Sequence, residues 1–157
     1  MLPTLRGGVL IRKLNHVFVD IENSGGLDPH KLLLHYHDIK WSQKIAVASK
    51  NTPSKLEEKW VNSPFRVTYG GCDPDAADHR LINEVMRQIN LDENNGHSPA
   101  NIYLAVTGDT DFCDLISILR RLGHEVSVIG WGEVHNKLRQ LATSSINLRK
   151  PKSNIES

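Results

Sequence analysis

The stretch that decides the fold lies at residues 102–131 and reads IYLAVTGDTDFCDLISILRRLGHEVSVIGW. Its apolar ends, residues 102–107 and 125–131, predict two buried strands. Between them, residues 111–122 predict an amphipathic helix that stops at Gly123, the usual position just past a helix end. A strand–helix–strand unit of this length predicts two parallel strands joined by a right-handed crossover.

The same alternation continues toward the N-terminus and beyond the quoted stretch. Strands are predicted at residues 14–21, 44–49 and 65–69, with a short edge strand at 146–148. Helices are predicted from Asp28-Pro29 to about residue 39, from Thr52-Pro53 onward, at residues 75–90 and around 134–141. Residues 91–100 (LDENNGHSPA) are a loop by composition. Alternating strands and helices predict an α/β three-layer sandwich, with a mainly parallel central sheet of about five strands.

The length of 157 residues is that of one ordinary domain. Residues 1–13 are mildly basic and predict a flexible arm, and residues 149–157 (RKPKSNIES) predict a polar tail. Residues 14–148 would then form the folded domain. With 39% hydrophobic and 24% charged residues, the composition is that of a globular protein.

Several function classes are disfavoured by what the sequence lacks. No apolar run approaches the roughly 18–20 residues that span a bilayer, so no membrane partner is expected. The N-terminus has no long apolar segment of the kind that directs secretion. Cys72 and Cys113 form no CxxC motif, which favours a reduced, cytoplasmic setting without structural zinc. A net charge of +1 neither requires nor excludes a nucleic-acid partner.

Carboxylates follow three of the predicted strands. Asp20 ends the first strand, Asp78 begins the helix after the third, and Asp109 and Asp111 follow the fourth. The carboxyl ends of parallel strands meet at one edge of the sheet, where open α/β sheets form their sites. The four side chains are therefore expected to converge.

Converging carboxylates repel one another unless they hold protons or a cation lies among them. Ligands that are all oxygen suit Mg²⁺ or Mn²⁺. Such an ion can activate water and neutralise charge on a phosphodiester undergoing cleavage. The sequence offers no nucleophilic serine or cysteine motif, so metal-activated water is the expected nucleophile. The pattern predicts a metal-dependent nuclease.

Helix phase favours Asp78 as an inward-facing residue. The apolar stripe of its helix contains Leu81 and Val85, and Asp78 lies one turn before that stripe. An inward carboxylate needs a partner, because burial of a lone charge is costly. Asp75 and Asp111 also have a simpler interpretation as helix N-caps, a position that favours aspartate.

The combination of VFVDIEN (17–23), AADHRL (76–81) and VTGDTDFCDLISILRRLGHEVSVIGW (106–131) resembles the NYN-domain family of LabA-like, PIN-like proteins. The resemblance spans about residues 14–131. It implies a Rossmann-like PIN fold, a Mg²⁺ or Mn²⁺ site and ribonuclease activity of the endoribonuclease type. By position, Asp20 and Asn23 match the first motif, and Asp109 and Asp111 match the last.

The middle motif of the family departs from its usual form in this sequence. Asp78 and Glu84 match its two acidic positions, with Glu84 replacing the commoner aspartate. Ala76-Ala77 stands where the family frequently has lysine and glycine. Whether Asp75 or Asp78 is the main third ligand is therefore left open by the resemblance, although helix phase favours Asp78.

The resemblance also implies roles in substrate binding. Asn23 would orient a metal-bound water or the substrate phosphate. Basic residues near the sheet edge would hold the strand, namely Lys50, Lys55 and Arg80. RNA is the expected partner, with DNA left open, and pairing into a homodimer is common among PIN-like proteins.

Two other functions remain open at this point. A non-catalytic RNA-binding or regulatory module could use the same fold, with the carboxylates binding a metal only for structure. A metal-dependent phosphatase acting on small phosphoesters could also use a DxD motif at a strand end. The sequence shows no cap domain that would enclose a small substrate, which favours an open polymer site and the ribonuclease.

Overall fold

The protein folds around one parallel sheet, as seen in a computed structural model. The structure describes residues 4–6, 9–11, 13–24, 26–71, 76–106 and 110–149. Its strands are β1 (Thr4–Arg6), β2 (Val9–Ile11), β3 (Asn15–Asp20), β4 (Gln43–Ala48), β5 (Arg66–Tyr69), β6 (Asn101–Ala105), β7 (Glu125–Gly130) and β8 (Ser144–Asn147). Its helices are α1 (Pro29–His35), α2 (Ser54–Val61), α3 (Ala76–Asn94), α4 (Cys113–Arg121) and α5 (Asn136–Leu141), with a 3₁₀ turn at Thr110–Phe112.

The main sheet confirms the predicted parallel architecture. Its six strands run in the order β5-β4-β3-β6-β7-β8, and every neighbouring pair is parallel. The predicted number was about five, and the sixth strand is β8, which pairs with β7 at the sheet edge. The order reverses between β3 and β6. Ligands of open α/β sheets bind beyond the carboxyl ends of the strands at such a reversal.

Helices cover both faces of this sheet, so the predicted three-layer sandwich is confirmed. Phe18 of β3 lies in a core shared with α3, α4 and α5. Its neighbours Val17 and Val19 point the other way, into a core shared with α1 and α2. Because both faces are covered, buried residues follow one another without a break from His16 to Ile21.

The start of α1 and the end of α4 follow the predicted signals. Asp28 caps α1, its Oδ1 accepting a hydrogen bond from the His30 amide at 2.8 Å, and Pro29 occupies the first helical position. Gly123, with φ +94°, follows α4 as predicted. However, α1 ends at His35 rather than near residue 39, and α4 is preceded by the 3₁₀ turn that contains Asp111.

The prediction of a loop throughout residues 91–100 was wrong, because α3 continues to Asn94. The reason is a buried contact made by Asp92. Its Oδ2 lies 2.7 Å from Nε2 of His16 in β3, and its Oδ1 accepts a hydrogen bond from Gln88 at 2.9 Å. This pairing, 76 positions apart in sequence, fixes a segment whose polar composition indicates a loop.

The segment predicted as an N-terminal arm contains a β-hairpin. Strands β1 and β2 pair antiparallel, with Leu5 opposite Leu10, and they form a small sheet separate from the main one. Most of the predicted C-terminal tail, residues 150–157, lies outside the described residues. Among the residues that are described, no helix is long and apolar enough to cross a membrane.

Candidate active site

Asp20 is the last residue of β3 and stands at the reversal of strand order. It lies two residues after Phe18, so strand alternation turns its side chain toward the α3 face of the sheet. Its exposed fraction is 0%. A fully buried carboxylate at the end of an apolar strand requires compensation by hydrogen bonds, a proton or a cation.

Asp78 lies in the first turn of α3, on the same face of the sheet. The inward position predicted from helix phase is confirmed: the residue is 7% exposed, and Leu81 and Val85 of the same stripe are fully buried. The first turn of a helix also favours a negative charge, because the helix dipole is positive at that end.

Gly70 allows α3 to begin directly against the end of β5. A Cβ atom added at Gly70 would lie 2.7 Å from the carbonyl carbon of Ala76 and 2.7 Å from the amide nitrogen of Ala77. Only glycine permits this approach of two backbones. Gly70 therefore helps to place Asp78, one residue beyond Ala77. The local sequence does not reveal this close approach, because it arises from tertiary packing.

The carboxyl groups of Asp20 and Asp78 are hydrogen-bond partners. Two ionised carboxylates have no donor between them, so this contact requires a proton or a cation between the two groups. Burial raises the pKa of Asp20 above its ordinary value, and the nearby charge of Glu22 acts in the same direction. Hydrogen bonds to Asp20 from its neighbours only partly offset that effect.

Asn23 restrains Asp20 from the loop after β3. Its side-chain Nδ2 donates to Oδ2 of Asp20 at 2.9 Å, and its backbone amide donates to Oδ1 at 3.4 Å. Both contacts lower the pKa of Asp20. The predicted role for Asn23 concerned water or substrate. In the structure Asn23 holds the aspartate itself, and its role toward water or substrate stays a prediction.

The loop after β3 is also tied to the end of β4. Ser49 donates a hydrogen bond from Oγ to Oε1 of Glu22 at 3.0 Å, and its backbone amide donates to Oγ1 of Thr52 at 3.0 Å. Sequence reasoning did not single out Ser49, since a lone serine after a strand carries no specific signal. Lys50 and Lys55, predicted to contact nucleic acid, are exposed just beyond it.

The chemistry of the Asp20–Asp78 pair fits a divalent cation. Two carboxyl groups that share a proton can exchange it for a cation held between their oxygens, and oxygen ligands suit Mg²⁺ or Mn²⁺. Within the ranges that the structure describes, no group of three or more His, Cys, Asp or Glu side chains is arranged to hold a metal. The structure describes three of the four predicted carboxylates, and two of them, Asp20 and Asp78, are in contact.

Of the other predicted carboxylates, the structure describes Asp111. Asp109 and Asp75 lie outside the described residues. Asp111 lies in the 3₁₀ turn after β6, and its side chain is exposed. Their ligand roles remain predictions.

Glu84, predicted as a secondary ligand, lies among three arginines. Its Oε1 lies 3.2 Å from Arg66 and 2.6 Å from Arg87, and its Oε2 lies 3.0 Å from Arg80. Burial alone would raise the pKa of Glu84, but the hydrogen bonds from Arg87 and Arg66 outweigh it and hold the pKa below its usual range. The spacing of acidic residues in the sequence of α3 does not reveal this cluster of arginines, because Arg66 lies in β5.

Comparison with known proteins supports the fold and the family. The family model of the NYN domain matches residues 16–149. A crystal structure of a protein of unknown function from Vibrio parahaemolyticus superposes with a TM-score of 0.64 at 16% sequence identity, covering 86% of this chain and 92% of the other. At this identity the likeness concerns the fold alone. No curated protein matches the chain.

Proposed function

Because the chain belongs to the NYN domain family, we propose that it is a ribonuclease of the endonuclease type that depends on Mg²⁺ or Mn²⁺. The observation that carries the proposal is the buried Asp20–Asp78 pair at the reversal of strand order. Two buried carboxyl groups in contact lower the stability of the fold. Destabilising arrangements of this kind are typical of functional sites.

In this proposal Asp20 and Asp78 hold the cation, with Asp109 and Asp111 as further ligands. When bound, the cation supplies Lewis-acid chemistry, lowering the pKa of water and neutralising charge on the scissile phosphate. Asn23 keeps the Asp20 carboxylate in one orientation through its two hydrogen bonds. Preorganised ligands of this kind need no rearrangement during the reaction.

We place the substrate strand across the carboxyl edge of the sheet. Lys50 and Lys55 are exposed after β4, and Arg80 lies two residues beyond Asp78. These cations would contact the phosphate backbone, and their contribution to binding would weaken as salt is added. RNA is the proposed partner, and a labelled DNA strand of the same sequence is the comparison substrate in the cleavage assay.

Cleavage of a labelled RNA that contains a stem-loop and single-stranded flanks tests the proposal. With Mn²⁺ or Mg²⁺, we expect the wild-type protein to cut internal bonds and a chelator to abolish cutting. Asp20→Asn and Asp78→Asn should each lower the rate at least about 100-fold, since the loss of outer-shell partners alone costs about 10–100-fold. Asp38→Asn is the control, because Asp38 is exposed in the turn after α1.

Two outcomes of the same experiment would contradict the ribonuclease proposal. If wild type and both variants bind the RNA equally and none of them cuts it, the chain is a non-catalytic RNA-binding module. If a small phosphoester such as p-nitrophenyl phosphate is hydrolysed and RNA is not, the phosphatase alternative replaces the ribonuclease.

A further inference from the structure

The charged cluster around Glu84 lies outside the Asp20–Asp78 pair and has no role in it. The Glu84 side chain is 3% exposed, whereas the side chains of Arg66, Arg80 and Arg87 are 52%, 44% and 62% exposed. Three positive charges therefore surround one negative charge. The excess is positive and lies at the surface.

Stability does not account for three arginines at one carboxylate. One guanidinium can satisfy a carboxylate in the bidentate arrangement. Ion pairs formed by exposed side chains add little to the free energy of folding. Here each arginine contacts Glu84 through one Nη2 atom, although a guanidinium carries five N–H donors. About half of each side chain stays open to solvent, with donors suited to a second anion.

Glu84 also fixes where these donors lie. Arg80 and Arg87 project from α3, and Arg66 projects from the edge strand β5, so one buried carboxylate gathers cations from two elements. Arginine binds phosphate through the N–H donors of its planar guanidinium group. A guanidinium group that Glu84 already holds in place loses less conformational entropy when it binds phosphate.

Two of the three arginines lie further along the helix that carries Asp78. Arg80 lies two residues after Asp78 on α3, and Arg87 lies seven residues further. At a rise of about 1.5 Å per residue, the two arginines are separated by roughly 10 Å along the helix axis. A strand bound at Asp20 and Asp78 could continue along this flank of the molecule.

We propose that Arg66, Arg80 and Arg87 form a phosphate-binding surface that holds the backbone of an RNA strand leading away from the Asp20–Asp78 pair. This proposal rests on the proposed ribonuclease function and deepens it by naming where the substrate is held. The proposed function gives Arg80 a contact with the phosphate backbone. The present proposal adds Arg66 and Arg87, so that the contact becomes a surface shared by α3 and β5.

The test measures binding apart from cleavage. Fluorescence anisotropy of a fluorescein-labelled 15-nucleotide single-stranded RNA is followed in EDTA at several KCl concentrations. The variants are Arg66→Gln, Arg80→Gln and Arg87→Gln, each made singly so that Glu84 keeps two cations. The control is Arg121→Gln, because Arg121 is exposed at the end of α4, which is not one of the two elements that carry the cluster.

Each single variant should weaken binding about tenfold, the loss expected for one charge-assisted contact. Each should also reduce the slope of log K against log salt by about 0.7, the contribution of one phosphate on a single strand. Arg121→Gln should change neither quantity. Thermal unfolding of every variant shows whether weaker binding simply reflects a less stable fold.

The proposal is overturned if the three variants bind RNA with the affinity and salt slope of Arg121→Gln, whatever their stability. It is also overturned if the wild-type protein does not bind this RNA in EDTA. Cleavage assays keep the two proposals apart. If binding depends on the arginines and nothing is cut in Mn²⁺, the surface stands and the ribonuclease fails. If RNA is cut and KM is unchanged in all three variants, the ribonuclease stands and the surface fails.

Discussion

At the scale of single residues, the candidate site brings together two side chains that oppose folding. Asp20 and Asp78 are both buried, and burial raises the pKa of Asp20. Each carboxyl group has hydrogen-bond partners, yet they share a space where two negative charges cannot both be accommodated without a cation. This arrangement is understandable if the protein sacrifices stability for binding.

Asp20→Asn should therefore stabilise the protein when no divalent cation is present. The amide NH₂ can donate a hydrogen bond to Asp78 without a shared proton, and its Oδ1 can still accept a hydrogen bond from Asn23. We expect a gain of about 0.5–2 kcal/mol, the usual range for relief of strain at a functional site. For a domain of this size that corresponds to a rise of roughly 1–8 °C in Tm, measured by calorimetry in EDTA.

The matched control for this prediction is Asp38→Asn, which alters an exposed carboxylate and should leave Tm nearly unchanged. A lower Tm for Asp20→Asn in EDTA would show that the aspartate is a net stabiliser held by Asn23. The interpretation of a functionally strained pair would then be wrong.

At the scale of elements, the junction between β5 and α3 places Asp78. The approach of Gly70 to the backbone of Ala76 and Ala77 leaves no room for a side chain. Gly71, the next residue, is different: among the described residues, a Cβ there would meet only the Cβ of Ala76, at an ordinary distance of 3.8 Å. Two adjacent glycines thus have unequal roles.

Gly70→Ala should destabilise the protein by about 1–3 kcal/mol, because the added methyl group forces the start of α3 away from β5. RNA cleavage should fall as well, since Asp78 moves with the helix. Gly71→Ala should stay within about 0.5 kcal/mol of wild type. Urea unfolding and the cleavage assay measure the two effects. Equal stability of the two variants would mean that α3 is not held at this junction.

The elements also show what the sequence could reveal. The apolar run of β3, the Asp28 cap and Gly123 are local signals, and they correctly predicted a strand, the start of α1 and the end of α4. The extension of α3 depends on Asp92 meeting His16, and the position of Glu84 depends on Arg66 in β5. Contacts between distant segments leave no periodic pattern, so local reasoning could not find them.

At the scale of the whole molecule, the parallel topology explains why acidic residues far apart in sequence meet. Asp20 and Asp78 come from segments 58 positions apart, yet both reach the edge of the sheet where strand order reverses. The sequence was sufficient to predict this convergence, because alternating strands and helices leave few topologies. It could not predict that the two carboxyl groups touch, which depends on the packing of α3 against β3 and β5.

A cation that binds this native arrangement should stabilise the whole fold. An ion present at 100 times its Kd contributes about 2.7 kcal/mol if it binds only the folded state. For a domain of this size Tm should rise by roughly 5–11 °C. We expect Mn²⁺ to produce this shift in the wild type and in Asp38→Asn, and a much smaller shift in Asp78→Asn. An equal shift in all three proteins would show that Mn²⁺ binds at a site that does not include Asp78. The buried pair would then need another explanation.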